Sequence, residues 1–175
     1  MYFFKLLVTI FIFTQCCSTI RAQNSKSNPV DCACCAAHYK DFDFWEGQWV
    51  VKDTLGNKMG ENSIKKIESN CILQEEWKGQ KGSSGTSINY FNKKDSTWNQ
   101  TWVSGTGNVL ILKGNLKDDK MVLKSELIEG QRGFYYNQIT WTPNDDGTVT
   151  QLWEIFAEDG TKQQNLFKGI YHRKK

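Results

Sequence analysis

Gly85-Thr86-Ser87-Ile88-Asn89-Tyr90-Phe91-Asn92, then Lys93-Lys94-Asp95-Ser96, then Thr97-Trp98-Asn99-Gln100-Thr101-Trp102-Val103-Ser104 is the stretch whose reading decides the fold. Both outer runs are rich in β-branched and aromatic residues, and the connection Asn92-Lys93-Lys94-Asp95 carries residues that accept a tight turn. Two extended runs joined this closely read as an antiparallel hairpin. Successive strand residues point to opposite faces, so Trp98, Gln100 and Trp102 share one face.

Working outward, the same grammar repeats at 47–53, 59–69, 71–78, 108–116, 121–128, 134–142, 148–156 and 163–172. The breaks at Leu55-Gly56-Asn57, Gly105-Thr106-Gly107, Lys117-Asp118-Asp119, Pro143-Asn144-Asp145-Asp146-Gly147 and Glu158-Asp159-Gly160 tolerate positive φ or close tight turns. Gly82-Ser83-Ser84-Gly85 reads as another hairpin turn, without the Gly-Lys-Ser/Thr ending of a phosphate loop. No long helical period intervenes. A meander of about ten strands leaves exposed edges unless it curls shut. The expected fold is therefore all-β, a single antiparallel up-and-down β-barrel, with a two-sheet sandwich as the competing arrangement. Ala36–Trp45 reads as a short helix or turn that enters the first strand and plugs one end with aromatic side chains.

The amino-terminal stretch sets the expected compartment. Lys5 precedes the apolar run Leu6–Phe13, and a more polar stretch ends in Ile20-Arg21-Ala22, the layout of a secretory signal peptide over 1–22. The run is shorter than the roughly 20 residues of a membrane-spanning helix. Neither Cys16, after Gln15, nor Cys17, after Cys16, follows the small residue expected before a lipid-modified cysteine. The expected division is a signal peptide at 1–22, a tether with a cysteine cluster at 23–40 and the barrel at 41–175. Loss of Lys5 and Arg21 lowers the formal charge from +3 to about +1, which argues against nucleic acid as a partner. His172-Arg173-Lys174-Lys175 reads as a solvated tail.

Alternation sets Cys71, Leu73, Glu75 and Trp77 on one face, Trp98, Gln100 and Trp102 on another, and Val149, Gln151, Trp153 and Ile155 on a third. Each set places a polar residue among apolar ones, and a buried polar group needs partners. Glu75, Gln100 and Gln151 either bond one another, Ser87, Asn89 or trapped water, or they line a cavity and orient a ligand held among tryptophans. The run Phe134-Tyr135-Tyr136-Asn137-Gln138-Ile139-Thr140-Trp141 is aromatic on both faces, so alternation leaves its facing open.

Phe42-Asp43-Phe44-Trp45-x-Gly47-x-Trp49, Cys71-x-Leu73-x-Glu75-x-Trp77, Ser87-x-Asn89-Tyr90, Trp98-x-Gln100-x-Trp102 and Val149-x-Gln151-x-Trp153-Glu154 run in order from about 41 to 172. Together they resemble a widespread family of uncharacterised, mostly bacterial secreted proteins with a calycin- or lipocalin-like barrel. The resemblance implies a fold rather than a reaction. It also implies that Trp77, Trp98, Gln100, Trp102, Gln151 and Trp153 stand where related barrels hold ligand.

Other chemistry finds little footing. Cys32, Cys34, Cys35 and Cys71 are an even set suited to disulfides in an oxidising compartment. The favoured pairing puts one bridge within Cys32–Cys35, with Cys71 either a buried barrel residue or a staple to the amino-terminal segment. As a metal site, Cys32, Cys34, Cys35 and His38 are too crowded for structural zinc and would better suit Cu(I). Cys32-x-x-Cys35 is followed by Ala36 rather than the His of covalent haem attachment, and His172 reads as exposed. No cofactor is expected. No Ser lies in a nucleophile elbow.

Three functions remain. The first is an exported binding protein with a small-molecule ligand held by Glu75, Trp77, Asn89, Trp98, Gln100, Trp102, Gln151 and Trp153. The second is a hydrolase- or isomerase-like enzyme using Glu75 as general acid or base. The third is a surface interaction module with a filled core.

Overall fold

The computed structural model describes Cys32–Lys175; the expected signal peptide, Cys16, Cys17 and the expected tether before Cys32 lie outside the described residues. Two short 3-10 helices, Ala37–Lys40 and Asp43–Trp45, lead into the strands. These are β1 (Gly47–Lys52), β2 (Lys58–Ile67), β3 (Ile72–Gly79), β4 (Ser84–Asn92), β5 (Thr97–Ser104), β6 (Val109–Lys117), β7 (Lys120–Lys124), β8 (Ile128–Gly130), β9 (Gly133–Pro143), β10 (Val149–Ala157) and β11 (Lys162–Arg173).

Neighbours pair antiparallel around a ring, in which β1 joins β11 and β10 joins both β9 and β11. Ten strands thus close into a barrel, with β8 an extra strand on β9, and the expected all-β barrel is borne out. Closure supplies both edges of every ring strand with a neighbour, which a sandwich would not.

Two local expectations need correction. The run at 121–128 is not one strand: pairing to β9 stops after Lys124 and resumes at Ile128. At the break the Ser125 amide donates to the Asn137 carbonyl, and Ser125 Oγ accepts from the Asn137 amide, so a side chain stands in for the ladder. The hairpin turn also falls earlier than Gly82–Gly85. It spans Gly79 to Ser83, and Ser84 and Gly85 already belong to β4.

The face left open by alternation is settled at β9. Asn137, Ile139 and Trp141 are buried inside, while Phe134 is exposed and Tyr136 stacks outside on Phe156 at 5.4 Å, with Lys124 Nζ over its ring. The core is concentrated at one end. Phe42 and Trp45 enter there from the 3-10 helices and pack on Trp98 and Trp141, and Trp49 donates its indole N–H to the Trp45 carbonyl.

Two disulfides hold this segment, Cys32–Cys35 and Cys34–Cys71. The second ties it to the chain just before β3, at the same end, so Cys71 is the staple.

Candidate functional site

Strand alternation places Leu73, Glu75 and Trp77 on the inner face of β3, Ser87 and Asn89 on that of β4, and Trp98, Gln100 and Trp102 on that of β5. At about 3.3 Å per residue these sets form layers along the barrel axis. The layer at the plugged end is apolar, the middle is polar, and the layer at the opposite end is aromatic.

The polar layer is a connected network. Asn62 Nδ2 donates to Glu75 Oε1 at 2.7 Å, and Ser87 Oγ donates to Glu75 Oε2 at 2.7 Å. Ser87 Oγ in turn accepts from Asn89 Nδ2 at 2.9 Å and from Gln100 Nε2 at 3.4 Å. Asn62 also donates to the Tyr171 hydroxyl, which donates to Gln151 Oε1. Burial pushes the Glu75 carboxyl up to about 7, against the lowering effect of the two hydrogen bonds. Burial likewise holds the Tyr171 hydroxyl well above the usual phenol range, with the Glu75 charge adding to it.

Beyond this layer lies a cavity of about 620 Å³. Glu75, Gln100, Gln151 and Tyr171 meet its inner end, and Trp77, Trp102, Trp153 and Phe167 wall it. Its mouth is rimmed by the turn residues Asp53, Asn57, Gln80 and Lys81.

Glycines explain why the walls leave space. A Cβ on Gly85 would come within 2.2 Å of the Trp102 ring, one on Gly60 within 2.6 Å of Trp77, and one on Gly169 within 2.7 Å of Phe167. The Trp102 and Trp77 rings therefore lie back against bare backbone on the neighbouring strand, and the Phe167 ring against that of its own strand, instead of projecting across the barrel. Trp153 is held by its indole N–H donating to Asn137 Oδ1 at 2.9 Å.

Six of the residues expected at a site, Glu75, Trp77, Gln100, Trp102, Gln151 and Trp153, meet at this cavity. Two lie apart from it. Trp98 is buried at the plugged end, against Phe42 and with its indole N–H on the His38 carbonyl, and Asn89 sits behind Ser87 with its amide on the Leu73 carbonyl. Tyr171, Phe167, Leu110 and Ile139 also line the cavity without having been singled out, and Asn62 supports its floor. Alternation through Phe167, Gly169 and Tyr171 carried a signal for that strand.

Cys32, Cys34 and Cys35, weighed above as metal ligands, are engaged otherwise among the described residues. The sulfurs of Cys32, Cys34 and Cys35 are all in disulfides, which leaves no thiolate beside His38. His38 stacks on Phe91 at 5.4 Å.

Among known proteins, no family model matches the chain, and no curated protein does.

Proposed function

We propose that this is an exported binding protein that takes a small amphipathic, partly aromatic ligand into the open end of its barrel. The observation that carries this reading is the cavity of about 620 Å³, walled by Trp77, Trp102, Trp153 and Phe167 over a polar floor. Small-molecule sites combine apolar walls with a few convergent polar groups in this way, and their volumes run from roughly 300 to 1,000 Å³.

Export is supported by the signal-peptide pattern of residues 1–22 and by two disulfides, which persist in oxidising compartments. Membership of the calycin- or lipocalin-like family is part of the same proposal. Its support is the closed barrel and the ordered motifs.

The neutral fluorophore N-phenyl-1-naphthylamine tests binding. Saturable emission excited through tryptophan is expected, with affinity reduced about tenfold or more in Trp102→Ala. Binding that is absent, or indifferent to both Trp102→Ala and Trp153→Ala, sinks the reading.

A second reading, a hydrolase- or isomerase-like enzyme with Glu75 as general acid or base, draws support from a cavity-floor carboxyl that ionises at about 7. It needs a partner for proton transfer. Tyr171 is the nearest candidate, and it reaches Glu75 through Asn62. Turnover of p-nitrophenyl esters that rises through neutral pH and vanishes in Glu75→Gln would favour it. The hollow interior takes support away from a filled-core interaction module.

A further inference from the structure

Resting on the binding reading, we propose that the ligand carries a positively charged amine head, received by the Glu75 carboxylate, with its apolar body between Trp77, Trp102 and Trp153. The starting observation is a carboxyl group 4% exposed that reaches the cavity floor with no cationic partner among the described residues. Its two protein donors, Asn62 and Ser87, are neutral, and they use about half of the four or so hydrogen bonds a carboxylate accepts. A buried carboxylate in this state gains most from a cation.

The rest of the floor agrees in sign. The Tyr171 hydroxyl already donates to Gln151 and accepts from Asn62. Gln100 gives one amide N–H to Ser87, and its carbonyl oxygen accepts no hydrogen bond among the described residues; behind the floor, Asn62 Oδ1 is likewise without a donor. An ammonium group is three donors with no acceptor, which complements the Glu75 carboxylate and the Gln100 carbonyl oxygen at the floor.

An anionic head at the floor would instead meet Glu75 without a compensating charge. The lysines near the cavity stand at its mouth, where Lys58 is paired with Glu61 at 2.8 Å and Lys81 is exposed to screening solvent. Around Glu75 the facing groups are Asn62 on β2, Ser87 on β4, Gln100 on β5, Gln151 on β10 and Tyr171 on β11. Tyr171 is the one titratable group among them, and it stays protonated through neutral pH. Charge selection in this pocket therefore follows Glu75.

The test is calorimetric titration of the mature protein with three matched probes, 4-phenylbutylamine, 4-phenylbutanol and 4-phenylbutanoate, alongside N-phenyl-1-naphthylamine as a charge-neutral control. At about pH 8 the amine should bind about tenfold or more tighter than the alcohol, with the acid weakest. Between about pH 8 and pH 5.5 the amine should lose most of that preference, and up to about thirtyfold in affinity, as Glu75, ionising at about 7, takes up its proton. The alcohol should not weaken.

Glu75→Gln should erase both the amine preference and its pH dependence. If that variant fails to show the near-ultraviolet circular dichroism of packed tryptophans, the pH series on the unaltered protein decides. Tighter binding of the acid, or an amine preference that survives in folded Glu75→Gln, overturns the proposal. Fluorophore binding with no preference among the three probes defeats the amine assignment alone. No binding by any probe defeats the cavity reading as well.

Discussion

At the plugged end of the barrel Trp45, Trp49 and Trp141 are fully buried, whereas at the open end Trp77, Trp102 and Trp153 border a cavity of about 620 Å³. Both ends draw on the same residue type and the same strand alternation. They differ in what reaches across. A ten-strand barrel is wider than its own inward side chains readily fill, since about eight strands already suffice for a packed interior. The plugged end is completed by Phe42 and Trp45, brought in by the disulfide-pinned 3-10 segment. The open end has only short turns, and its rings lie back on Gly60, Gly85 and Gly169. Hollowness here comes from the missing plug and from the glycines.

Breaking the packed end should give the largest change. Trp45→Ala removes a ring that stacks on Phe42 at 5.0 Å and packs on Trp141 at 5.3 Å. It should cost about 5 kcal/mol, the upper end for a fully enclosed aromatic, read as a lower urea midpoint. The cost is expected even though the Trp45 indole N–H has no acceptor among the described residues.

Releasing the plug comes next. The Cys34–Cys71 bridge has a sequence separation of 37, so Cys34→Ser with Cys71→Ser should cost about 4 kcal/mol by loop-closure entropy. Urea unfolding of the double variant beside the unaltered protein, both without reductant, measures it. An unchanged midpoint would mean that packing alone seats the plug.

The polar layer between the ends gives a pH signature of unusual sign. Because the folded Glu75 carboxyl ionises at about 7 against 4.5 for the free group, the folded state holds the extra proton between those values. Its contribution to stability therefore falls as pH rises through this window and levels off above it, by up to about 3 kcal/mol. Glu75→Gln should remove that slope and gain stability at about pH 8. The exposed carboxylates pull the other way at lower pH. Lys174 and Lys58 hold Glu61 down at about 2, and a turn of hydrogen bonds from Asn57 lowers Asp53, so their contributions are lost on acidification. Stability curves of the two proteins should diverge only above about pH 4.5.

The smallest stability effect should carry a large binding effect. In Gly85→Ala the new methyl group meets only Trp102 ring atoms among its nearest contacts, and that ring can swing into the cavity. The expected cost is about 1 kcal/mol, with fluorophore affinity falling about tenfold as the space fills. Equal affinity would show that Trp102 does not shape the site.

The strands were readable from residue order because alternation and turn chemistry are local, and observed boundaries lie close to those expected from Gly47 to Arg173. The turn between β2 and β3 was less legible. Glu68, Ser69 and Asn70 all take positive φ there with no glycine to announce it. The break after Lys124 was hidden because a serine side chain replaces a ladder bond.

Local pattern by itself determined a β meander, inward rows that mix tryptophan with Glu75, Gln100 and Gln151, and an aromatic entry segment suited to plug one end. It could not separate Trp98 from Trp102, which share a strand and a face yet stand about 13 Å apart along the strand. One is sealed under Phe42 and the other borders open space. Tertiary structure alone decided which end the amino-terminal segment covers, and it brought Tyr171 to Asn62, the donor to Glu75, and the Trp98 indole to the His38 carbonyl. Those contacts join residues distant in sequence, so no local period records them.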